Sequence, residues 1–188
     1  MDYKEAGIKL LRENIKNENL VKHNLAAGAL MKSLADYFGE SDQKDLWELA
    51  GLLHDIDWEK TSERPEEHGK VGEAIIREAG LPEEVALAVR RHNFMSGVEA
   101  PETLMEKALY YCEEITGLVV AAALVLPSRK LMDVTPETVL KRFKEKAFAR
   151  GVNRELLLEA PKHLEITLEK MAELAVRSMQ NIHEELGL

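Results

Sequence analysis

Apolar residues recur at spacings of three and four along almost the whole chain, and no apolar-polar alternation is long enough to define a strand, so the pattern predicts an all-α protein. Predicted helices cover residues 3–16, 20–38, 42–54, 66–79, 82–91, 102–126, 136–148 and 154–185. Their ends fall at residues that start or stop helices. Gly39 and Gly80 suit the left-handed position after a helix, Pro65, Pro82 and Pro136 fit a first turn, and Ser41 and Thr135 are candidate N-caps. The last segment carries Leu164, Leu168, Met171, Ala175, Ser178 and Ile182 along one stripe, the signature of a packing helix.

Polar residues interrupt these stripes at a few places. On the second helix Leu20, His23, Ala27, Leu30, Leu34 and Phe38 share a face, which puts an imidazole in a buried slot. Such a histidine is more often a hydrogen-bonded core residue than a ligand. The segment "LWELAGLLHDIDWEK" is apolar on nearly every side through Leu46, Leu49, Leu52, Leu53 and Ile56, so its end at His54-Asp55 is predicted to lie inside. A carboxylate there is opposed by desolvation and by the helix dipole unless it is paired or coordinates a cation. His68 is expected in the first turn of the next helix and His92 at the far end of the one after it. In "ALYYCEEITGLVV", Glu113 and Glu114 interrupt a helix that is otherwise apolar all round.

Four of the six histidines and two or three acids thus fall on five successive helices, and convergence on a metal explains them together. Imidazole and carboxylate donors without a thiolate describe a catalytic-type centre for Mn, Fe, Ni, Co, Zn or Mg rather than a structural zinc site. His163 and His183 have charged neighbours and are expected at the surface.

A length of 188 residues without a composition break fits one domain, with a core over about residues 20–126 and C-terminal helices over 135–186 packing on it. The net charge of −9 repels nucleic acid and anionic membranes, so neither is an expected partner and any phosphate must be met locally. The lone Cys112 cannot form an internal disulfide and is read as a buried thiol rather than a nucleophile. No leader pattern is present, and the apolar run "LVVAAALVL" is about half a bilayer span, so a soluble, cytoplasmic protein is expected.

The order His23, His54-Asp55 and then an acid in "YCEEITG" resembles the HD-domain superfamily of metal-dependent phosphohydrolases, whose pattern is H…HD…D on a helical core. The likeness runs over about residues 20–120 through "VKHNLAAGALMKSLADYFG", "LAGLLHDIDWEKT", "EEHGKVGEAIIREAGLP" and "AVRRHN", and is to small stand-alone members in particular. It implies a bundle of about seven or eight helices and one or two divalent metal ions. By the resemblance His23, His54, Asp55 and the last acid hold one ion, and His68 and His92 hold a second that Asp55 bridges. The pattern has Asp where this chain has Glu113, which keeps the charge and adds a methylene; Glu114 is the alternative ligand. The GYP-type cyclic-dinucleotide phosphodiesterases and the guanosine tetraphosphate hydrolases with "HDxxEDT" fit less well.

The implied activity is hydrolysis of a small phosphate ester, such as a nucleotide, by a metal-activated water. Asp55 orients the water, and His68 or His92 completes the second site or protonates the leaving group. Candidate phosphate-binding bases are Lys22, Arg91, and Arg64 or Lys60, whereas Arg129 and Lys130 read as a solvated helix end. Asp57 either fixes a ligating imidazole from behind or simply ends the helix, and Trp58 either floors a base pocket or covers a core edge. Two other readings keep the fold: a di-iron oxygenase, and a non-catalytic regulatory module.

Overall fold

The computed structural model describes residues 2–93 and 97–188, and all regular structure among them is helical. In chain order the helices are α1 (Tyr3–Asn14), α2 (Glu18–Tyr37), α3 (Lys44–Leu53), α4 (Trp58–Thr61), α5 (Lys70–Glu78), α6 (Glu83–Arg91), α7 (Leu104–Cys112), α8 (Ile115–Val125), α9 (Pro136–Phe143), α10 (Arg154–His163), α11 (Leu168–Gln180) and α12 (His183–Leu186). Two of these, α4 and α12, are single turns, and short 3₁₀ turns occupy Ser41–Gln43 and Leu131–Asp133. The rest form a helical bundle with somewhat more pieces than the seven or eight expected.

At the centre lies the pairing of α2 with α3, the most extensive in the molecule; α1 packs on α3, while α8 and α11 cover α2. The stripe predicted for α2 faces inward, with Leu30, Leu34 and Ala27 fully buried against Leu49, Leu52 and Leu53. Each such large aliphatic side chain contributes about 1.5–3 kcal/mol by leaving water. The two backbones touch at Gly51, where a β-carbon would lie 2.6 Å from the Ala27 carbonyl oxygen and 2.7 Å from the Gly28 nitrogen. That crossing sets how closely the residues after α3 approach α2.

Several predicted elements are shorter or divided. The segment predicted over 42–54 opens with the 3₁₀ turn, because the Ser41 hydroxyl donates to Asp36 instead of capping a helix. Thr135 does cap α9, accepting from the Thr138 N–H. The single helix predicted over 102–126 tightens at Glu113-Glu114, where the Thr116 N–H bonds to the Glu113 carbonyl three residues back, so α7 and α8 are separate. The segment over 154–185 is three helices, since Thr167 accepts from the Lys170 N–H and starts α11 afresh. The stretch Leu104–Val125 is long and apolar enough to cross a bilayer by length and composition, yet it is mostly buried inside the bundle, as a core helix is.

A candidate metal centre

His23 projects from the first third of α2, His54 and Asp55 leave the C-terminus of α3, His68 sits in the turn before α5, His92 ends α6, and Glu113 occupies the joint between α7 and α8. The structure brings all six together. His23, His54 and Glu113 form one group of donors and Asp55, His68 and His92 a second, each with its donor atoms within 4.8 Å of one another. Asp55 stands between them: its Oδ2 lies 3.6 Å from His23 Nε2, and its Oδ1 lies 3.6, 3.2 and 3.5 Å from the Nε2 atoms of His54, His68 and His92.

His68 is not in the first turn of a helix as predicted. Its ring Nδ1 donates to Asp57 Oδ1 at 2.8 Å, while Asp57 Oδ2 accepts the Gly69 and Gly72 N–H groups, both at 2.8 Å. Gly69 adopts φ +86° there, with its α-carbon pressed so close to α6 that a β-carbon would meet the Val89 carbonyl at 2.9 Å. The helix therefore starts at Lys70, and the fully buried Asp57 fixes both its first turn and the imidazole beside it.

The outer nitrogens of His54 and His92 are held by backbone. His54 Nδ1 donates to the Gly51 carbonyl at 2.8 Å and His92 Nδ1 to the Val89 carbonyl at 2.5 Å. An acceptor at Nδ1 puts the proton of a neutral imidazole on that nitrogen and leaves a lone pair on Nε2. The lone pairs of His54 and His92 face the other two rings: His54 and His23 Nε2 are 3.1 Å apart, and His92 and His68 Nε2 are 3.0 Å apart. Two ring nitrogens this close need a proton or a cation between them.

Electrostatics tell the same story. Burial pushes His54 down to about 3, so it stays neutral. Burial opposes a charge on His68 too, but its hydrogen bonds to Asp55 and Asp57 outweigh that and raise it to about 9. Burial likewise works against Asp55, yet the surrounding imidazoles hold it well below the usual carboxylate range. Glu113 goes the other way, pushed well above its ordinary value by burial and by the charges of Glu114 and Asp55. Its Oε2 is sealed from solvent without a hydrogen-bond partner among the described residues, 3.7 Å from His23 Nε2 and 3.8 Å from His54 Nε2. An orphaned carboxylate oxygen and converging imidazole lone pairs are the donor set a divalent cation satisfies. Glu114, by contrast, accepts from the Asn153 N–H at 3.1 Å.

The centre opens into a cavity of about 660 Å³. Trp58 borders it, its ring edge-on to His68 at 5.0 Å, and Tyr110, Leu109, Val152 and Leu156 supply further wall. The C-terminal part of the chain, read from sequence only as packing, thus contributes through the Gly151 to Asn153 loop. The proposed phosphate-binding bases do not reach this cavity. Arg91 is drawn away by Glu102 and Glu106, each at 3.0 Å; Arg64 pairs with Glu67 at 2.7 Å; Lys60 donates to Asn14; and Lys22 faces a neighbouring cavity. No Lys or Arg lines the cavity among the described residues.

Sequence reasoning passed over Asn24, whose Oδ1 accepts from the Asp55 N–H at 3.3 Å and whose Nδ2 donates to the Leu20 carbonyl. Its place beside His23 was the only signal. Cys112 is fully buried and burial raises its thiol, in keeping with an inert role, and His163 is exposed and stacked on Tyr111.

Two comparisons bear on this arrangement. A family model described as HD domain matches residues 20–125, more than half of the chain and the segment that holds all six converging residues. An uncharacterized protein of Methanocaldococcus jannaschii is 38% identical over 91 residues, covering 47% of this chain and 52% of the relative, so the match spans about half the length of each.

Proposed function

The chain belongs to the HD-domain family, and from that premise we propose that it is a metal-dependent phosphohydrolase acting on a small phosphate monoester. The family consists mostly of metal-dependent phosphohydrolases. The observation that carries the reading is the position of Asp55, within 3.2–3.6 Å of imidazole nitrogens from both donor groups. His23, His54, Asp55 and Glu113 would hold one divalent ion, and Asp55, His68 and His92 a second. Such ions supply a hydroxide nucleophile at neutral pH and a clamp on the oxygens of an in-line displacement at phosphorus.

The chain's own residues do the rest. Asp55, kept anionic, is placed to orient the attacking water, and Asp57 fixes the ring of His68 so that its Nε2 faces the cavity. With the second site empty, His68 would carry a proton on each ring nitrogen, Nδ1–H on Asp57 and Nε2–H toward Asp55 and the cavity, and the Nε2 proton would pass to the leaving oxygen. Asn24 anchors the backbone of Asp55 to α2.

The absence of Lys and Arg from the described cavity wall, together with Glu114 in it, narrows the substrate. A triphosphate would bring charge that nothing but the metal ions could offset. A monoester with an uncharged remainder matches the aromatic and aliphatic surfaces of Trp58, Tyr110 and Val152. The same wall without Lys or Arg favours, as a second reading, a di-iron oxygenase with an uncharged substrate.

Elemental analysis followed by turnover of the metal-reconstituted protein separates these. The expected result is up to two ions per chain, hydrolysis of monophosphates at least tenfold faster than of the matching di- and triphosphates, and loss of both metal and turnover in Asp55→Ala. Equal metal and turnover in parent and Asp55→Ala would refute the assignment. Iron with an oxidised-cluster absorption and no phosphatase activity would move it to the oxygenase.

A further inference from the structure

Next to the metal centre a second cavity of about 440 Å³ runs between α2 and α8 and is closed at one end by the turn after α12. Its walls are Ala26 on α2, Val120, Ala121 and Leu124 on α8, and Leu186 and Leu188 beyond. The α8 residues recur at spacings that put them on one helix face, and Leu124 at the rim is 50% exposed.

Three polar groups border this apolar space, each with a donor that has no partner among the described residues. Thr116 is 1% exposed, and its hydroxyl has no hydrogen-bond partner. Lys22 forms no ion pair with any described residue; its ammonium rests against Gly187, 3.0 Å from where a β-carbon would sit. His23 lines both cavities, and it alone among the four imidazoles has no acceptor at Nδ1 among the described residues. A buried hydroxyl without a partner is destabilising, and the Lys22 ammonium is the one cation among the described residues in the wall of this cavity, so an anion entering it would meet a positive charge.

We propose that this cavity binds a single-chain aliphatic monocarboxylate, its tail along the α8 face and its carboxylate at Lys22, within reach of the Thr116 hydroxyl and the His23 Nδ1–H. One anionic head meets three unsatisfied donors, and the volume lies in the range of small-molecule sites. A polyanion has only one fixed positive charge to meet, and a neutral alkane leaves Lys22 and Thr116 as they are. Because His23 presents its other nitrogen to the metal centre, the carboxylate takes the outer position that Asp57 takes for His68.

The test is calorimetric titration of the full chain with decanoate below its micelle concentration, both as purified and in EDTA, so that coordination to a metal is separated from binding in this cavity. One decanoate per chain is expected under both conditions, with decan-1-ol binding about tenfold more weakly. Lys22→Met is expected to weaken decanoate about tenfold, Ala121→Trp to abolish saturable binding, and Lys141→Met, on an exposed face of α9, to leave it unchanged. Methyl resonances of the cavity wall, Val120, Leu124, Leu186 and Leu188 among them, give a readout in the parent protein that needs no variant, and only methyls of this wall should shift with decanoate. Non-saturating uptake, equal affinity in parent, Lys22→Met and Ala121→Trp, loss of binding in EDTA, or methyl shifts elsewhere in the chain would each overturn the proposal.

Discussion

Glu113→Gln is expected to make the metal-free protein more stable and the metal-loaded protein less so. In the absence of metal, the Glu113 carboxylate has one oxygen shut off from water and unpartnered, with Asp55 and Glu114 as like-charged neighbours. The penalty has a ceiling, because the group can always protonate. Protonating an ordinary glutamate at pH 7 costs roughly 3 kcal/mol, so Glu113 destabilises the metal-free fold by no more than about that. Gln removes the charge at nearly constant volume and recovers roughly 1–3 kcal/mol, which for a chain of this size raises Tm by about 3–10 °C. With metal the sign reverses. An ion at a hundred times its dissociation constant stabilises the parent by about 2.7 kcal/mol, and the variant, lacking one anionic ligand, forfeits much of it. Thermal unfolding of both proteins in EDTA and in excess divalent metal reads the crossing. A variant less stable than its parent in EDTA, or equally displaced in both conditions, would show that Glu113 is a structural residue and not a ligand in waiting.

Three further outcomes follow from the same geometry. His68, raised to about 9 in the fold against an ordinary 6.5, binds more proton folded than unfolded; stability in EDTA is therefore full below about pH 6.5 and lost as pH rises through 9, a slope that His68→Gln should abolish in thermal melts. Asp57→Asn should weaken metal at the Asp55, His68 and His92 group about 10–100-fold by isothermal titration and cost about 2–4 kcal/mol in urea unfolding, since the carboxylate accepts from one imidazole and two N–H groups; unchanged affinity would mean the ring needs no bracing. Gly51→Ala has no flexible side chain to push aside, only the α2 backbone, so it should cost about 3 kcal/mol and reduce metal content by separating His54 from His23; a variant with native melting would place the crossing elsewhere.

The fold class and the residues of the centre were readable because both depend on local periodicity. His23 and Glu113 announced themselves as polar residues in apolar stripes, and His54-Asp55 as charge at the end of a buried helix. What the sequence hid is set by contacts between distant segments. The α7–α8 joint occurs in a stretch whose composition does not change, and the start of α11 depends on Thr167 capping where an unbroken stripe ran through. The sequence pattern puts His68 in a helical turn because nothing local says that Asp57, eleven positions earlier, claims the N–H groups of Gly69 and Gly72. The basic residues beside ligands do not line the cavity, for the converse reason. Neighbours in sequence on a helix point in different directions, and Arg91 points at Glu106.

The two donor groups differ in how much chain they enclose. Asp55, His68 and His92 come from residues 55–92, already tied by the hydrogen bonds of Asp57, whereas the other group joins residue 23 to residue 113 across the whole bundle. Closing the shorter loop costs less entropy. On a chain emerging from the ribosome, the nearer trio has all its donors in hand by the end of α6, while its companion waits for α7; an ion captured early would then tether the first half of the molecule before the second half exists.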